Sequence, residues 1–211
     1  MKLFYDTETT GFIGKNCLIK NETDKYPVVQ TSIGMPHIVS IACILTDDNL
    51  NEVMSFNALL KPDNYTIPIE ATNVHGITTE YALKYGIERA SVLSMFSKIM
   101  MRADECIAHN IAFDMAVIQG ELKRFVSSGS TIEYFLKKKH YCTMENSRDI
   151  CKLKHAKGAY RNGYKNPKLS EAHSVLCDFE MENAHNAMAD TRACLNIYRK
   201  IKEIQNDNQT N

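Results

Sequence analysis

Short unbroken apolar runs and stripes at helical spacing divide this chain into its elements. Leu3-Phe4-Tyr5 is a short apolar run that stops at Asp6, and it predicts a strand over Lys2–Tyr5. His37–Leu45 is apolar almost throughout, at the length of a strand buried on both faces. Asp47-Asp48-Asn49 then reads as a turn and Val53–Leu60 as the returning strand. Val92, Leu93, Phe96, Ile99 and Met100 fall at helical spacing, which predicts a helix over Ser91–Met101. Glu105–Ala108 reads as a short strand, and Asn110 as the cap of a helix from Ile111 to about Val126. A strand over Tyr141–Thr143 leads into a helix over Met144–Cys151, and Pro167 precedes a helix over Leu169–Leu176. The last helix runs from about Asn186 to Ile204, with Ala189, Ala193, Ile197 and Ile201 on one stripe.

Polar stretches fill the intervals. Gly11–Pro36 is a long connection rich in Asn, Lys, Thr and Gly, of a length that is often functional. Pro62 and Pro68 bracket another loop, one helical turn follows over Thr79–Leu83, and Lys154–Asn166 is rich in Gly and Lys. A strand meander followed by alternating helices and strands predicts an α/β fold with a mixed sheet and helices packed on it. No linker or shift in composition divides the chain. One domain is expected over residues 1–204, with the polar segment 205–211 as a fraying tail.

Charge and cysteine narrow the class. The net charge is zero, which argues against coating duplex DNA by bulk electrostatics. The distribution is uneven: Lys137–Lys168 holds ten Lys or Arg against two acids, while Leu169–Asp190 holds five acids and no Lys or Arg. On charge alone that is a solvated basic loop more often than not, but the juxtaposition also suits a site that holds phosphates and needs cations. Seven cysteines with no Cys-x-x-Cys fit a reducing, cytoplasmic compartment and argue against structural zinc. No apolar run has the length of a membrane span, and no long apolar segment precedes Asp6, so neither a membrane protein nor a secretory signal is expected.

The chemistry concentrates in three places. Asp6 and Glu8 end the first apolar run, and in a strand they point the same way with Cα atoms roughly 6.7 Å apart. Two carboxylates on one face repel unless a cation intervenes, and hard divalent ions prefer such oxygen ligands. Asp114 falls in the first turn of the helix begun at Asn110, where it either complements the helix dipole or reaches the sheet edge near Asp6. His185 and Asp190 are five apart, about 140° around one helix, so they cannot share a face. His185 is therefore expected ahead of the helix, with Asp190 one turn in. An imidazole so placed is suited to take a proton from attacking water.

Together these segments resemble the DEDDh, or DnaQ-like, 3′–5′ exonucleases, a family that includes proofreading subunits of bacterial replicative polymerases. Asp6-Thr7-Glu8-Thr9-Thr10-Gly11, His109-Asn110-Ile111-Ala112-Phe113-Asp114 and His185-Asn186-Ala187-Met188-Ala189-Asp190 are similar to its three motifs. Asn73-Val74-His75-Gly76-Ile77-Thr78 and Asn166-Pro167-Lys168-Leu169-Ser170-Glu171-Ala172-His173 also match. The resemblance implies a ribonuclease H-like, five-stranded mixed sheet and two divalent cations, Mg²⁺ or Mn²⁺. It implies that Asp6 bridges both ions, that Glu8 and Asp190 complete one, and that Asp114 holds the other largely through water. His185 is implied as general base. The Thr7 backbone, His75 and Thr78 are implied to contact the terminal nucleotide, and Asn110 could approach the strand, although capping alone accounts for it. The implied substrate is a single-stranded or frayed 3′ end, DNA favoured, shortened by nucleoside monophosphates in proofreading or repair, with a non-covalent polymerase partner possible. The alternatives are an exoribonuclease of the same family and an inactive nucleic-acid-binding accessory domain. The 11–36 loop exceeds that of the compact proofreading subunits. Tyr160, Arg161, Tyr164 and Lys165 mix rings and charge, which fits a single-strand track and equally an ordinary flexible loop.

Overall fold

A computed structural model describes residues 1–19, 25–125, 129–155, 163–177, 179, 181 and 183–210, with side chains to residue 207. Its centre is a five-stranded mixed sheet in the order β5-β4-β1-β6-β7. The strands are β1 (Lys2–Thr9), β4 (Ile38–Thr46), β5 (Glu52–Leu59), β6 (Glu105–Ala108) and β7 (Lys139–Cys142). β1 pairs antiparallel with β4, and β4 with β5, while β6 and β7 run parallel to β1. This is the ribonuclease H-like mixed sheet expected from the motifs. All nine residues of β4 are buried, as its unbroken apolar run requires. β5 is one of the two edges and exposes most of its length.

Alternation along β1 sends its side chains to two different layers. Leu3 and Tyr5 face α3 (Arg89–Met101), α4 (Ile111–Phe125) and α5 (Gly129–Lys137), where they pack with Phe96, Met115 and Phe135. Phe4 faces α8 (Ala187–Thr210) and packs with Cys194, Leu195 and Tyr198; the Phe4 and Tyr198 rings meet edge to face at 5.3 Å. α6 (Thr143–Cys151) and α7 (Leu169–Leu176) cover the outer side of α8 through Cys151, Ala172, Ile197 and Ile201. Burial of these apolar surfaces is the main favourable term holding the layers together. None of the seven cysteines is in a disulfide, and all are buried. Among the described residues no helix is long and apolar enough to cross a membrane.

Six elements depart from the pattern read along the chain. α1 (Ile69–His75) lies beyond the bracketed loop, where the pattern predicts no helix, and carries His75 at its C-terminal end. Pro68 starts it and left-handed Gly76 stops it, too short a span for a periodic stripe to register. α2 (Thr79–Tyr85) extends the expected single turn. α5 opens on Gly129-Ser130-Thr131, poor helix formers, and its helicity comes from burying Phe135. The long connection contains a small ribbon, β2 (Leu18–Ile19) against β3 (Val28–Val29). At the other end, α8 continues to Thr210, past the expected stop at Ile204.

One mismatch of strand lengths opens the site. β1 keeps β4 as a partner through Thr9, but β6 pairs with it only as far as Phe4. Beyond Phe4 the β6 side of β1 has lost its strand, and the start of α4 enters there.

Candidate active site

Asp6 and Glu8 follow Phe4 on the α8 face of β1. Asp6 is half-buried and Glu8 is 8% exposed. α8 delivers Asp190 to the same place. Asn186 starts that helix, its Oδ1 accepting from Met188 and Ala189 N–H at 3.2 Å and its carbonyl from Asp190 N–H at 2.9 Å. Asp190 therefore sits in the first turn. His185 precedes the helix in an exposed turn with φ of 65°, the arrangement their spacing predicts. One oxygen from each of Asp6, Glu8 and Asp190 lies within 4.8 Å of the other two.

Asp114 arrives from the opposite layer. Its Oδ1 accepts the Thr7 backbone N–H at 3.1 Å and the Thr7 hydroxyl at 2.7 Å, both bonds buried. The carboxylate thus replaces the strand that β1 lacks beyond Phe4. Left-handed Asn110 (φ 63°) turns the chain from β6 into α4, and its carbonyl accepts from Phe113 N–H. His109 fixes the same junction: its ring nitrogens contact Thr143 Oγ1 and the Pro167 carbonyl at 3.0 Å. Since a carbonyl only accepts, Nε2 carries the proton and Nδ1 accepts from the hydroxyl. Burial lowers the His109 pKa to about 4, consistent with that neutral ring.

The four carboxylates make one electrostatic unit. Burial, then Asp114, Asp190 and Glu8, holds the Asp6 carboxyl well above the usual range. Burial with Asp190 and Asp114 raises Glu8 to about 7. Burial raises Asp114 to about 7 against the two Thr7 bonds, and Asp190 to about 6 against a bond from the His185 backbone. Asp190 Oδ1 is buried with no hydrogen-bond partner among the described residues. Clustered, desolvated acids with an unmet acceptor fit a hard divalent cation, which would reverse the sign of the local field.

Beside the acids runs a groove of about 340 Å³, lined by Thr7, Glu8, Gly11, Phe12, His75 and Phe113 among others. His75 Nδ1 accepts from Ile77 N–H at 3.1 Å, so Nε2 carries the proton, and Nε2 is buried. Burial lowers the His75 pKa against a bond to the Thr9 backbone, and nearby His185 pushes it further down. The other expected contacts are arranged differently. The Thr7 N–H is engaged by Asp114, because β1 has no other partner there. Thr78 is exposed and caps α2, its Oγ1 accepting from Tyr81 N–H at 3.1 Å. Asn110 is exposed at its turn. Tyr160 and Arg161 lie outside the described residues, Tyr164 is exposed, and Lys165 pairs with Glu171. Phe12 went unremarked in the sequence, where one aromatic after a glycine carries no signal. In the fold it is 94% exposed at the groove.

A model of the RNase_T family, described as exonuclease, matches residues 3–198. The chain belongs to this exonuclease family. Within it, an uncharacterized exonuclease, CP81 of Escherichia phage 186, is 29% identical over 199 residues, spanning 93% of this chain and 85% of that one. Crystal structures of E. coli exonuclease I share the fold: the form bound to a dT13 oligonucleotide is 20% identical with a TM-score of 0.72, over 98% of this chain. Exonuclease I from Methylocaldum szegediense gives 0.71 at 20% identity over 97%. The exonuclease-family chain spans only 42% and 40% of those two longer proteins. The match covers all three acidic motifs, and the cluster of Asp6, Glu8 and Asp190 suits a metal-dependent nuclease.

Proposed function

We propose that this protein is a 3′–5′ exonuclease that hydrolyses single-stranded or frayed DNA ends to nucleoside monophosphates. The observation that carries the reading is the convergence of Asp6, Glu8 and Asp190 on one point beside a groove. Asp6, Glu8 and Asp190, with Asp114 behind them, would hold two divalent cations, Mg²⁺ or Mn²⁺. Bound there, the cations supply charge stabilisation for the phosphodiester transition state and a more acidic attacking water.

The protein's own groups do the rest. Thr7 fixes the Asp114 carboxylate through two hydrogen bonds, so it needs no reorganisation during the reaction. His185, exposed ahead of α8, takes the proton from the attacking water. His75 offers its Nε2–H to the terminal nucleotide, and Phe12 gives a base a ring to stack on. The exonuclease I structures with oligodeoxynucleotides support DNA as the substrate.

The test offers end-labelled single-stranded DNA, a mismatched primer and single-stranded RNA in parallel with Mg²⁺. Mononucleotide release from the 3′ end of the DNA strands is expected. Faster release from RNA would reassign the sugar, and no cleavage of any strand would overturn the reading.

A further inference from the structure

About three turns beyond Asp114, α4 carries a second anchor. Arg124 Nη1 donates to the Pro36 carbonyl at 3.2 Å, and Nη2 to the Ser32 and Met35 carbonyls at 2.7 and 2.5 Å. All three belong to the limb returning from the long connection. Nη1 also bonds Glu121 Oε1 at 2.9 Å. Glu121 is fully buried and is held as well by Arg89 at 2.5 Å and His37 at 3.1 Å. A fixed carboxylate thus orients the guanidinium from behind, and the planar fork reaches carbonyls that a lysine could not serve together.

The limb that Arg124 grips is zipped to the segment leaving β1. Thr10 N–H donates to the His37 carbonyl, His37 N–H to Thr10 Oγ1, and Gly14 N–H to the Gly34 carbonyl, each at 2.9 Å. A Cβ at Gly14 would stand 2.7 Å from the Gly34 oxygen, so the two limbs touch backbone to backbone. Phe12 lies between these two anchor points.

We propose that Arg124 is a substrate-positioning residue: through the return limb it fixes the Thr10–Gly14 lip that presents Phe12 to the nucleotide end. This rests on the reading of the groove as the seat of a nucleic-acid 3′ end. A ring held in place before binding loses little freedom when a base stacks on it, whereas a loose lip must be ordered by the substrate. The acids sit on β1, α8 and the far end of α4, so the chemical step does not depend on the lip.

The test compares steady-state kinetics of the full chain, Arg124→Met, Phe12→Ala and the double variant on a short oligo-dT strand with Mg²⁺. Arg124→Met is expected to raise KM about tenfold, the scale of one lost charged hydrogen bond, with little change in kcat. Because Arg124 acts through Phe12, the double variant should match Phe12→Ala alone. Arg124→Lys keeps the charge beside Glu121 without the fork. It should show the same raised KM, and it carries the test if the Met variant does not fold. An unchanged KM, or effects that multiply in the double variant, overturns the positioning role in an active enzyme. A wild-type chain inert toward the strand overturns the functional reading and this inference with it.

Discussion

Asp114 and Thr7 are joined twice: one carboxylate oxygen accepts both the backbone N–H and the hydroxyl of the same residue, at 3.1 and 2.7 Å. The pair ties the helix layer to the central strand where β6 has ended. Thr7→Val keeps the shape and removes only the hydroxyl bond. It should destabilise the protein by about 1–2 kcal/mol, since a buried carboxylate loses a donor. Urea denaturation of the metal-free protein measures this, and an unchanged midpoint would show the bond to be idle.

A second prediction concerns pH. Glu8 and Asp114 titrate at about 7, and burial with the neighbouring acids also holds Asp6 well above its ordinary value. The native state therefore holds protons that the unfolded chain has released, and stability falls as pH rises through these values. His75, His109, His140 and His173 have lowered pKa values and act oppositely, but only below about pH 6.5, where unfolded histidine charges. Between about pH 6.5 and 8 the acids act without the histidines, and the N-terminal amine, raised by its bonds to Asp104 and Asp48, works in the same direction at the upper end. The metal-free melting temperature should drop across that window, and Mg²⁺ should restore it more at pH 8. Calorimetric melts would contradict the account if stability rose with pH there.

A third concerns the proton acceptor. His185 is exposed and stands ahead of the helix that carries Asp190. His185→Ala should lower kcat by about 10²–10⁴-fold, the usual contribution of a general base. Mg²⁺ binding by titration calorimetry should survive, because the carboxylates are untouched. Loss of the ion together with activity would instead make His185 part of the cation site.

Much of this was legible in the chain because the decisive signals are local. Asp6 and Glu8 share a face by strand period alone, and the five-residue gap places His185 before α8 and Asp190 within it. The unbroken run of β4 announced a buried strand. What stayed hidden depends on tertiary context. α1 is too short for a periodic stripe, and α5 opens on residues of poor helical propensity. The engagement of the Thr7 N–H follows from β6 stopping short, which no local pattern encodes. Phe12 acquires meaning only when the fold sets it, uncovered, at the groove.

The most direct measurement of the central claim follows a 5′-labelled single strand in Mg²⁺ with the wild type and Asp6→Ala. The wild type should shorten the strand stepwise from its 3′ end. Asp6→Ala, having lost the carboxylate shared by the whole acidic cluster, should leave the strand intact while remaining folded. Full activity in the Asp6→Ala protein would contradict the account.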